Sequence, residues 1–99
     1  MSHRPFTMAT VGTSKKLQVY AAGPDDVEVV VFWGPKGGSP SRLVLRKAGT
    51  GVWEGLLPIT ADLRDAGGLQ YWVVVSHPST TPRRLQSGSP DGPHEVTVF

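Results

Sequence analysis

A chain of 99 residues, 38% of them apolar, has room for one domain with a modest core. Its formal charge of +2 is too small for the dense basic stripe that nucleic-acid binding requires. It contains no cysteine, which excludes disulfides, thiol chemistry and a cysteine-type zinc site, and no apolar run approaches the roughly 20 residues of a membrane span.

Twelve glycines and nine prolines among many valines favour short strands joined by frequent turns. Residues 1–7, MSHRPFT, read as a flexible lead-in broken by Pro5, and residues 8–99 as the domain. The lead-in has one arginine and no apolar h-region, so it is not a secretory signal. The compartment stays open: cytoplasmic if Met1 is the natural start, otherwise that of a secreted or periplasmic protein of which this is a fragment.

Residues 8–11 predict a short edge strand ended by Gly12. Residues 16–22 alternate Leu17, Val19 and Ala21 with Lys16, Gln18 and Tyr20, the pattern of a half-buried strand, closed by the turn signal Gly23-Pro24-Asp25-Asp26. Residues 27–33, VEVVVFW, place Val27, Val29, Val31 and Trp33 on one face and Glu28, Val30 and Phe32 on the other. After the turn-rich GPKGGSPS, residues 42–47 predict a fourth strand with Leu43 and Leu45 inward and Arg42, Val44 and Arg46 outward. Residues 52–57 form a fifth, which Pro58 ends because proline cannot donate to a ladder. Residues 60–66 predict one helical turn with Thr60 as N-cap, stopped by Gly67-Gly68.

Residues 69–76, LQYWVVVS, are the strongest strand, apolar at nearly every position and so expected in the middle of a sheet. Residues 77–93 read as one long loop rich in Pro, Ser, Thr and Gly, functional or mobile, and residues 95–99 as the last strand. About seven strands with no long helix suggest a two-sheet antiparallel sandwich, with a small barrel as the competing architecture.

The segments VEVVVFWGPKGG, RLVLRKAGTGVWEGLLP, GGLQYWVVVS and SPDGPHEVTVF resemble the fibronectin-type-III-like and immunoglobulin-like domains of bacterial multidomain proteins. The resemblance covers roughly residues 17–99. It implies an immunoglobulin-like β-sandwich in which 69–76 is the sixth strand and Tyr71 occupies the tyrosine-corner position. GVWEGLLP followed by GLQYWVVV is also similar to the glycogen- and starch-binding modules of branching and debranching enzymes. Where those modules carry an Asn-x-Trp, this chain reads Phe32-Trp33-Gly34-Pro35.

No catalytic or cofactor motif is present, and a non-enzymatic role without cofactor is expected. Ser76 and His77 are strand neighbours and point to opposite faces, which defeats a nucleophile–base contact. His77 and His94 would hold a metal only with a third ligand such as Asp91, and a solvated loop pair explains them better. Asp62 and Asp65 suit a surface turn, and Arg83, Arg84 and Lys36 suit soluble loops.

The informative feature is a conflict in the strand pattern. With the third, sixth and seventh strands side by side, the face away from the core carries Val30, Phe32, Trp72, Val74, Thr97 and Phe99, bordered by Arg42, Arg46, Glu28 and Glu95. An apolar, aromatic face with a charged rim is the composition of a partner surface, and the expected partner is a protein, whether another chain or a second copy. Cover by a loop or the N-terminal segment, or a bulge that shifts the parity, would remove it. The alternative function is an α-glucan-binding module that stacks sugar on Trp33 and Trp53. A third is a structural spacer in a longer chain.

Overall fold

The computed structural model describes residues 3–21, 27–76, 84–89 and 91–99. Within them nine strands and one short helix build two sheets and no barrel. The spine is the antiparallel pair β3 (Glu28–Pro35) and β7 (Leu69–Ser76), matched over the full length of both, from Glu28 opposite Ser76 to Pro35 opposite Leu69. β4 (Ser41–Val44) flanks β3. On the other side of β7 lie β8 (Arg84–Ser87) and then β9 (His94–Val98), and β1 (Met8–Ala9) closes that edge parallel to β9. The second sheet has β6 (Val52–Pro58) between β2 (Ser14–Tyr20) and β5 (Arg46–Gly49).

The alternation read from the chain sets the core. Leu17, Val19, Trp53 and Leu57 of the small sheet face Val29, Val31, Tyr71, Val73, Val75, Val96 and Val98 of the large one, all buried. Full burial of each such side chain contributes about 1.5–3 kcal/mol, and the β-branched residues among them suit the pleat. Helix α1 (Ala61–Asp65) lies near β3 and β9 of the large sheet and buries Leu63. Thr60 stands at its N-cap without a side-chain cap bond, and Gly67 and Gly68, both at positive φ, end it.

The strand count differs from the seven expected in two places. The fourth strand is two, because the chain changes sheets at Leu45, which is buried and donates its N–H to Val29 O at 2.9 Å. Gly55 on β6 leaves the room: a Cβ there would meet the side chains of Leu45 and Leu43. A strand that passes between sheets at a bend is one way a sandwich makes its corner. The second addition is β8, which lies inside the stretch expected as a single loop. Ser87 stands opposite Val73 and His94 opposite Tyr71, so the last edge spends seven residues where β7 spends two. The two ends of that excursion are tied by Ser87 Oγ and His94 Nε2 at 2.8 Å.

The residues read as a lead-in lie against the domain from His3 onward. Phe6 stacks on Tyr71 with ring centroids 5.1 Å apart, and Thr97 donates its N–H to Thr7 O at 2.8 Å. The 23–26 turn, His77 and Arg83 lie outside the described residues.

Gly68 is the tightest backbone approach in the fold. Its φ is +136°, its carbonyl accepts from Lys36 N, and an added Cβ would stand 2.7 Å from Val96 O. Gly12 is also at positive φ but faces open space. Gly68→Ala is therefore expected to cost about 2–4 kcal/mol and Gly12→Ala about 1 kcal/mol, read from urea unfolding midpoints. Equal losses at the two positions would contradict the close approach.

Candidate functional site

The outward face of the large sheet is laid out in rows by its register. One row runs Val44, Val30, Val74 and the next Arg42, Phe32, Trp72. Polar rows bound them, Glu28 with Ser76 on one side and Gly34 with Gln70 on the other. Phe32 and Trp72 are directly opposite across the strands and stack at 5.4 Å between centroids with 16° between ring planes. Offset aromatic stacking adds about 0.5–1.5 kcal/mol beyond burial and keeps the two rings nearly parallel.

Val30 and Val74 are buried although they point away from the core. The reason is lateral. Arg42 Nη2 reaches Glu28 Oε1 at 3.1 Å across the row of Val30, which stands between Glu28 and Phe32 on β3. Val74 is flanked by β3 on one side and β8 on the other. Trp72 and Phe32 stay half-buried, and Val44 is 53% exposed. A shallow cleft lined by Gly34, Pro35, Gly38, Pro40, Gln70 and Trp72 continues the apolar surface past the indole.

The structure brings together Val30, Phe32, Trp72, Val74 and Arg42, and leaves out two residues expected with them. Arg46 belongs to β5 and stands opposite Glu54 in the small sheet, because the chain has already crossed at Leu45. Phe99 is 60% exposed but lies past the end of β9, where its N–H bonds Ala9 O. By register it falls six positions along the strand from Trp72, on the order of 20 Å away, with Gln70, Glu95 and Thr97 between. Val44 takes their place at the edge of the belt. Its outward parity was readable from the sequence, but only pairing with Val30 puts it in the apolar row.

The glucan platform is not formed as expected. Trp53 is 4% exposed and belongs to the core, and Trp33 packs against that core from the opposite sheet. Buried Trp53 offers no ring face for a sugar to stack on, so the two indoles do not form a surface pair.

At the rim of the interior a polar cluster joins residues far apart in the chain. Tyr71 Oη lies 2.8 Å from His3 Nε2 and accepts weakly from Phe6 N at 3.4 Å, while His3 Nδ1 lies 2.9 Å from Gln18 O. The tyrosine-corner role is thus replaced, since this hydroxyl bonds the N-terminal segment rather than backbone a few residues upstream. His94 packs on Tyr71 at 5.1 Å and lies 6.0 Å from the His3 ring. Its Nε2 is engaged by Ser87, at a distance a nucleophile and base would use, but the groups behind it are the His3 and Tyr71 rings rather than a carboxylate. The arrangement ties the N-terminal segment and the edge excursion to β7. No local signal could have found it, because His3 and Tyr71 are 68 residues apart.

Comparison with known proteins found no matching family model, no matching curated protein and no matching solved structure.

The cluster makes stability depend on pH at both ends. Burial pushes the Tyr71 phenol up to about 12 from 10.0, with the Phe6 N–H acting the other way. Its folded value lies above its unfolded one, so its contribution is whole below pH 10 and is lost as pH rises toward 12, by about 1.4 kcal/mol per unit. Burial, and then the charge of His3, hold His94 below its ordinary 6.5, with a backbone hydrogen bond to Ser87 opposing. Here the folded value is depressed, so stability is present above pH 6.5 and drains as pH falls toward that lower value. Urea unfolding at stepped pH should show both limbs. Tyr71→Phe should flatten the alkaline limb, and an alkaline limb unchanged in that variant would contradict the assignment.

Proposed function

We propose that the chain is an immunoglobulin-like β-sandwich, of the fibronectin-type-III-like kind found in multidomain proteins, serving as a non-enzymatic interaction module. The order β1-β9-β7-β3-β4 facing β2-β6-β5 supports the architecture. The module binds a protein through the belt of Val44, Val30, Val74, Phe32 and Trp72. The observation that carries the reading is the stacked Phe32–Trp72 pair, half-exposed at the centre of a sheet face whose neighbours are valines. In a solitary domain that face is normally polar.

The partner this surface fits is a second copy. A two-fold interface uses the same patch on both sides and must be its own complement. An uncharged centre with Arg42 and Glu28 together on one rim meets that condition, since each can exchange its partner for the other copy's. The exposed ion pair contributes only about 0.2–1 kcal/mol within one chain, so exchanging it costs little. Burial of about 600 Å² per copy lies at the low end for specific association and corresponds to a dimer of roughly micromolar affinity.

Sedimentation velocity from about 1 µM to about 1 mM tests this. The wild type should show a concentration-dependent rise in sedimentation coefficient, which Trp72→Ser and Val44→Glu abolish. Val44 is exposed, so Val44→Glu should keep the wild-type unfolding midpoint and separate loss of association from loss of fold. A wild type that stays monomeric up to about 1 mM sinks the proposal.

A further inference from the structure

The opposite face of the sandwich has a different chemistry. On the outward side of the small sheet the register places Lys16 beside Leu56, then Gln18, Glu54 and Arg46 in one row, then Tyr20 beside Val52. Two clefts border this side. One, of about 390 Å³, lies between the N-terminal segment and β2, with Arg4, Lys15, Lys16 and Tyr20 on its walls. The other, of about 430 Å³, crosses β6 toward β5 and is walled by Lys16, Arg46, Lys47 and Leu56. They share Lys16, so they form one track across the three strands.

The charge along the track is one-sided. Five of the chain's ten Lys and Arg lie on it, and among the described residues Glu54 is the one carboxylate that lines it. Glu54 is already engaged, accepting from Gln18 Nε2 at 2.7 Å and pairing with Lys16 Nζ at 3.2 Å. Those two groups hold its carboxyl below the usual range. Arg4 and Arg46 make no ion pair or hydrogen bond among the described residues, and Lys15 has only the face of the Phe6 ring at 5.2 Å. Leu56 and Tyr20, 61% and 50% exposed, stand as apolar points between the cations.

We infer that this track binds an extended acidic polypeptide segment with apolar residues between its carboxylates. β2 and β5 are two strand spacings apart, about 10 Å, so the backbones that carry Lys16 and Arg46 stand on either side of β6. Four residues of extended chain, about 13 Å, return a side chain to the same face and cover the diagonal span, which matches an acidic residue at every fourth position with a same-face side chain midway to rest on Leu56. Single-stranded nucleic acid would need successive aromatic platforms, and Tyr20 is the one exposed ring on the small sheet's outward face. Insertion into a membrane surface would need a broad apolar face, where Leu56 stands among lysine and arginine. The inference does not depend on the Phe32–Trp72 belt, which lies on the other sheet.

The test is fluorescence anisotropy with a labelled peptide of about a dozen residues, glutamate at every fourth position and leucine midway between, so that both share one face of the extended chain. Saturable binding is expected at about 0.1 M salt and should be largely lost at about 1 M, as the screening length falls from about 10 Å to 3 Å. Arg4→Gln combined with Arg46→Gln, both at exposed positions, should weaken it about fivefold or more, as should serine in place of the peptide's leucines. Trp72→Ser should leave it unchanged, which distinguishes failure here from failure of the pairing face. No binding, binding indifferent to the arginine variants, or equal affinity for a single-stranded oligonucleotide or anionic phosphatidylserine vesicles would overturn the inference.

Discussion

The pairing of β3 with β7 is the constraint on which the rest of the domain depends. Both strands are apolar on both faces, so hydrophobic burial alone does not say which face is the interior. The polar residues decide it. Glu28, Gln70 and Ser76 all share the parity of Phe32 and Trp72. Shifting either strand by one residue would turn that set toward the core, and burying Glu28 without a partner would cost several kcal/mol. The register that keeps those groups wet also places Phe32 against Trp72 and leaves an aromatic pair on the outside. The surface feature of greatest interest is thus a by-product of where a glutamate is allowed to sit.

The two sheets divide the chemistry of the molecule. The large sheet turns outward a belt that is apolar at its centre and balanced in charge at its rim. The small sheet turns outward a cationic track with isolated apolar points. An 18 Å least extent leaves the faces back to back with one layer of core between them, so they look in opposite directions and can be occupied at once. The face that lacks charge relies on shape and burial, while the charged face is sensitive to salt.

The N-terminal segment shows how a small sandwich closes its open side. Neither sheet covers the gap beside β2 and β9, and Phe6 fills it by stacking on Tyr71. His3 then spans the gap, with one ring nitrogen near the β2 backbone and the other near the Tyr71 hydroxyl. A buried hydroxyl left without a partner costs about 1–3 kcal/mol, so the segment and the tyrosine require each other. The same demand accounts for the raised phenol and for the pH limits of the fold.

Much of this was present in the sequence. Alternation of two identified β2, β3, β6, β7 and β9 and the inward residues on each, because a pleated strand has no other way to hide apolar side chains on one side. The outward belt followed from the same parity, as did Thr60–Gly68 as a short helical interruption. What parity cannot supply is neighbourhood. Leu45 obeys the alternation of its strand, yet whether the chain continues in one sheet or bends into the other depends on the space Gly55 leaves. That bend, and nothing local to it, moved Arg46 to the opposite face. Phe99 has the right parity and the wrong row, since its position along β9 is set by the six residues between Ser87 and His94. Trp53 reads as core before platform from its strand, and the second sheet laid over it is what buries it. One-dimensional order records which way each side chain points; only the folded chain, by bringing distant strands together, decides what it points at.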